Sequence, residues 1–154
     1  MSVLAAIRPD DVNLPLTLHV LGAMLLVGTL LVVATAIAFA WRGGDDAVGL
    51  TRFGLRALLL GVFPAYLLMR IGAQWTEAAE DFPDDFDPAW LGIGYITADA
   101  GAVLILVSLI LSGLGLRKLR AGGGIGLSRA VGVIAVILLA AYVVAVWAMS
   151  AKPD

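Results

Sequence analysis

The sequence predicts an all-α fold: a polytopic membrane protein built as an up-and-down bundle of four transmembrane helices. Three observations predict it. Of the 154 residues, 61% are hydrophobic and 14% charged, against roughly 45–50% and about 25% in soluble domains. Four apolar runs each reach the ~20 residues a helix needs to cross a bilayer. The links between them are short, which makes antiparallel neighbours the default. The runs are continuous rather than alternating, so they read as helices and not as barrel strands. No room is left for a separate soluble catalytic domain, and residues 1–154 read as a single transmembrane domain.

The first span is expected over about 14–41, from Leu14 to Trp41. Its AIAFA segment offers a cleavage-like spacing. The run is nevertheless too long for a signal h-region, and Asp10 and Asp11 stand where a basic n-region would be, so a retained span is expected. The second span, about 53–75, contains Pro64 three residues after Gly61. A proline there removes a backbone hydrogen bond and predicts a kink, either as shape alone or as a hinge with an exposed carbonyl.

The third span, about 90–116, places Gly101, Ser108, Ser112 and Gly115 in one narrow arc opposite Asp99, at ~100° per residue. Small residues permit close helix approach. One face should therefore meet polar groups and the other a near neighbour, in the same bundle or in a second subunit. The fourth span, about 127–149, follows the glycine-rich turn AGGGIG, with Ser128 as candidate N-cap. No strand precedes those glycines and no Lys-Ser/Thr follows, so they do not form a nucleotide loop.

Charge in the links predicts orientation. The first link carries Arg42 and Arg52, with Arg56 just inside the second span; the last carries Arg117, Lys118, Arg120 and Arg129. The middle link holds Glu77, Glu80, Asp81, Asp84, Asp85 and Asp87 and no basic residue. The positive-inside rule puts the first and last links in the cytoplasm and both termini outside. Trp75, Trp90 and Trp147 then belong to the outer aromatic belt and Trp41 to the inner one. The acidic link EDFPDDFDP matches no EF-hand spacing; it reads as a solvated loop with Phe82 and Phe86 dipping to the interface. The basic links are placed to meet anionic headgroups of the lipid bilayer.

The few polar residues inside the spans fall at similar depth. His19, the only histidine, lies five residues in from Leu14; Arg70, Tyr95 and Tyr142 lie five residues from Trp75, Trp90 and Trp147. Asp99 is one turn beyond Tyr95, and Gln74 one turn from Arg70, on the same faces by the four-residue spacing. Intramembrane charges usually turn inward and find partners. An Arg70–Asp99 pair is expected, with His19, Tyr95 and Gln74 as further partners. His19, Arg70, Gln74, Tyr95, Asp99 and Tyr142 are the candidate ligand-binding residues. Two other readings stay open: a structural clasp that sets helix register, and Arg70 snorkelling to the surface.

His19 itself has three readings: a bundle hydrogen-bond partner, a proton carrier with a reference pKa of ~6.5, or a haem b ligand. The last would need a second axial ligand from another copy of the chain. The absence of cysteine excludes disulfides and thiolate metal sites.

The stretch LHVLGAMLLVG resembles the first helix of small uncharacterised bacterial integral membrane proteins and of the copper-resistance D-type family. The likeness rests on His19, Gly22 and Gly28 in one span of four. It implies a bacterial inner-membrane protein with a histidine near the outer face. The Ala-, Gly- and Arg-rich, Lys-poor composition is similar to that of high-GC bacteria.

No nucleophile–base constellation and no metal-ligand spacing is present, so a non-enzymatic protein is expected. Its outer-leaflet polar cluster would bind a small ligand, an ion or a proton. The alternatives are an accessory or assembly subunit of a larger membrane complex and a haem-binding electron carrier. Nothing points to nucleic acid; the expected partners are the bilayer and a homo-oligomer or larger complex.

Overall fold

Each apolar run forms a helix that continues past the apolar stretch into polar turns. The computed structural model describes residues 10–44, 46–80 and 88–152. Helix α1 spans Asp10–Ala40, α2 Ala47–Ala57, α3 Phe63–Glu80, α4 Ala89–Arg120 and α5 Gly126–Ala151. A single π-helical turn, Leu58–Val62, joins α2 to α3 without a break. Ala47–Glu80 is thus one rod, and the chain is a bundle of four rods long and apolar enough to cross a membrane. The second rod overshoots the expected 53–75 most. Its added turns are amphipathic: α2 buries Ala47, Thr51 and Gly54 and keeps Arg52 and Arg56 exposed, so helix formation outlasts the apolar stretch.

The α3–α4 end is here called the acidic end, after Glu77, Glu80 and the link beyond. The other is the basic end, where α4 finishes with Arg117, Lys118 and Arg120. Those cations face the negative pole of their own helix, a favourable placement. The link residues 81–87, including Phe82, Phe86, Asp81, Asp84, Asp85 and Asp87, lie outside the described residues.

Helix α1 packs along α2 and α3 on one side and along α5 on the other, and α4 lies against α5. Near the basic end α4 also meets α2, whereas α3 and α4 come near each other at few points. The core runs down the middle: Leu26, Leu30, Val33 and Ile37 of α1 interlock with Leu58, Val62, Ile105, Val131 and Leu138.

The expected kink at Pro64 takes a specific form. Pro64 has no N–H to give, and its ring crowds the carbonyl four residues back. The chain widens instead, and the Phe63 N–H bonds to the Leu58 carbonyl, five residues back. One surplus residue rotates everything beyond it by ~100°. That rotation keeps Leu58, Val62, Ala65 and Met69 together in the core.

The small face of α4 meets α5 of the same chain. Gly101, Ser108, Ser112 and Gly115 are all buried. A Cβ on residue 115 would stand 3.1 Å from Ser128 Oγ. The glycine turn after α4 closes as a Schellman motif, with Gly122 at φ +77° and Gly123 N–H bonded to Lys118 O. Ser128 is not the N-cap expected of it. The last helix begins two residues earlier at Gly126, and Ser128 is buried with its Oγ 3.5 Å from Thr51 Oγ1.

Candidate functional site

The site begins with two glycines on facing helices. Gly22 of α1 rests on the backbone of Met69, and Gly72 of α3 rests on the backbone of His19. A Cβ on residue 72 would stand 2.5 Å from His19 N, so neither position has room for a larger side chain. The crossing brings His19 Nδ1 to 2.9 Å from the Met69 carbonyl oxygen. Donation from Nδ1 to that carbonyl leaves Nε2 as the ring's acceptor. His19 therefore holds the backbone next to Arg70 and does not bond the Arg70–Asp99 pair, contrary to expectation.

On α3, Tyr66, Arg70 and Glu77 fall on one stripe by the four- and seven-residue spacing. They face α4 across the gap where α3 and α4 stand apart. Arg70 Nη2 reaches Asp99 Oδ1 at 3.0 Å. The same guanidinium lies 5.2 Å from the centroid of the Tyr95 ring, within cation–π range. The Tyr95 hydroxyl donates to Glu77 Oε2, and the Tyr66 hydroxyl donates to the Ala98 carbonyl at 3.2 Å. Long side chains thus bridge what the backbones leave open: Glu77 to Tyr95, Tyr95 to Arg70, Arg70 to Asp99.

Among the described residues the cluster is partly open at the bundle surface. The Asp99 side chain is 67% exposed and that of Arg70 23%. Asp99 looks outward from the bundle on the face of α4 opposite the small residues. Gln74 is exposed as well. It sits ~40° further round the helix than Arg70, whereas Glu77 sits within ~20° of it.

Tyr142 lies apart, in the α4–α5 seam. Its hydroxyl is buried against Gly101, where a Cβ would collide with it, and has no hydrogen-bond partner among the described residues. Of the six candidates, Arg70, Tyr95 and Asp99 form one cluster, Tyr142 stands behind it, and His19 and Gln74 lie off it.

Glu77 and Tyr66 are the cluster members that sequence reasoning missed. Glu77 counted as part of the acidic link, because an apolar-run criterion ends the span at Trp75. Tyr66 lies mid-span with no charged neighbour in sequence closer than Arg70. The 66–70–77 spacing was the signal for both.

A carboxylate in this position needs cover. Asp99 is nine residues beyond Trp90, about 13 Å along the helix at ~1.5 Å per residue. An unpaired charge near mid-bilayer costs ~2.5–3.5 kcal/mol on insertion scales. Arg70 offsets part of this through its charge-assisted contact with Asp99. Among the described residues no group of three His, Cys, Asp or Glu side chains is placed to hold a metal ion. The chain matches no family model, no curated protein and no solved structure.

Proposed function

We propose that this is a non-enzymatic protein of a bacterial inner membrane whose Arg70–Asp99–Tyr95–Glu77 cluster takes up a proton or a small cation from the outer side. The distribution of Lys and Arg among the links supports an outward acidic end with both termini outside. Two carboxylates and one guanidinium leave the cluster with a net charge of −1, which favours a cation over an anion. The single observation that carries the reading is Asp99: it is paired with Arg70 at 3.0 Å and its side chain remains 67% exposed. Arg70 stands beside the Asp99 carboxylate as its counter-ion. Tyr95, fixed between Glu77 and Arg70, orients that species, and His19 positions Arg70 through the Met69 carbonyl.

The test is infrared titration of the reconstituted protein, with sodium, calcium or copper ions added in separate runs. A protonated-carboxyl band should grow on acidification, or a carboxylate band should shift with one cation, and Asp99→Asn should lack that signal. If folded Asp99→Asn gives the same proton and ion responses as wild type, the proposal fails. Orientation is checked by labelling single cysteines, Ala78→Cys and Gly124→Cys, in intact cells with an impermeant maleimide. Residue 78 should react and residue 124 should not.

A further inference from the structure

Helix α4 carries a second pattern on its outward face. Ile96, Asp99, Val103, Leu106 and Ile110 are all exposed. Their spacing runs three, four, three, four, the period at which one helix packs along another. Exposed apolar residues alone mean little here, because lipid covers them as well as protein does. The charge in the middle of the stripe is different. Asp99 stands at a seam position well below the aromatic belt, paired with its own Arg70 from the side yet with its side chain 67% exposed on the stripe.

We infer that α4 is the contact helix of a homodimer, two copies packing α4 against α4 about a two-fold axis along the membrane normal. Copies inserted the same way round are parallel, so equal residues meet at equal height. Two Arg70–Asp99 pairs then lie side by side. Each carboxylate then lies near the other copy's guanidinium as well as its own, so the two pairs attract each other across the axis. The surface is complementary to itself, as an isologous interface requires. Ile96 and Val103 pack above and below the two pairs. The opposite face of α4 is already filled by α5, so this stripe is the one α4 has left to give. The inference concerns the exposed face and stands apart from which species Asp99 takes up.

The absence of cysteine gives a clean test. Ile96→Cys and Val103→Cys place single thiols on the seam; Ile137→Cys places one on an equally exposed face of α5. In oxidised native membranes the two seam variants should form a disulfide-linked dimer at least several-fold more than Ile137→Cys. Arg70→Gln in the Val103→Cys background should reduce that yield. Wild type in nanodiscs should scatter light as two chains of 16.0 kDa. A monomeric mass, or seam cross-linking no greater than that of Ile137→Cys, overturns the inference. So does a Val103→Cys product of heterogeneous size, which would mean that another protein occupies the stripe.

Discussion

The Tyr142 hydroxyl occupies the space that a Cβ on residue 101 would fill, so Gly101 and Tyr142 fit only as a pair. Gly101→Ala should drive the ring out of the α4–α5 seam and cost on the order of 1–3 kcal/mol, as overpacking does. Tyr142→Phe removes a buried hydroxyl that no group among the described residues satisfies. It should leave stability unchanged or raise it by up to about 1 kcal/mol. Thermal unfolding in detergent checks both. A Tyr142→Phe variant less stable than wild type would mean that the hydroxyl has a partner, such as a bound water.

Gly22 and Gly72 hold α1 against α3. Alanine at either position meets backbone, which cannot swing aside, so each variant should lose on the order of 1–3 kcal/mol. The His19–Met69 carbonyl bond should lengthen or break with it. The ¹⁵N shift of His19 Nδ1 reports that bond. A variant that unfolds at lower temperature with an unchanged Nδ1 shift would separate the crossing from the histidine.

Arg70 and Asp99 should not be equivalent on removal. Arg70→Gln leaves a carboxylate without its cation in the apolar layer, at a cost of roughly 2.5–3.5 kcal/mol. Asp99→Asn leaves a guanidinium that still lies over Tyr95 and can extend toward the headgroups, so it should cost less. The double variant Arg70→Gln/Asp99→Asn should recover most of the loss. The ranking of the three melting temperatures is the measurement, and an Arg70→Gln variant as stable as wild type contradicts it.

The π turn makes a prediction about deletions. Leu60 sits in the widened turn and points outward. Deleting it removes the surplus residue and leaves both halves in their present orientation, with Pro64 then bending the rod, so the variant should fold and retain the Arg70–Asp99 pair. Deleting Leu67 turns α3 beyond that point by ~100° and carries Arg70 away from Asp99. Yield of folded protein from detergent distinguishes them. Equal yields would show that the rod slides to compensate.

The four helices were legible because hydropathy over ~20 residues is a strong signal. The Arg70–Asp99 contact was legible because an intramembrane cation and anion at matching depth have few alternatives. The α4–α5 face followed from the arc of small residues. What escaped was of three kinds. His19 bonds a backbone carbonyl, and side-chain pattern says nothing about which carbonyl a ring will meet. Asp99 is largely exposed where α3 and α4 come near each other at few points, and hydropathy does not tell how far apart two neighbouring helices stand. Pro64 predicts a broken bond but not how the helix absorbs it.

That last point reaches beyond the turn itself. No single helical wheel describes Ala47–Glu80. A wheel drawn from Thr51 and Gly54 and carried through Arg70 would misplace the arginine by nearly a third of a circle, away from the gap it bridges. Any comparison of this rod with an unbroken helix must skip one position near Leu60. Without that skip, the residues of the charged cluster would be compared with positions that face somewhere else.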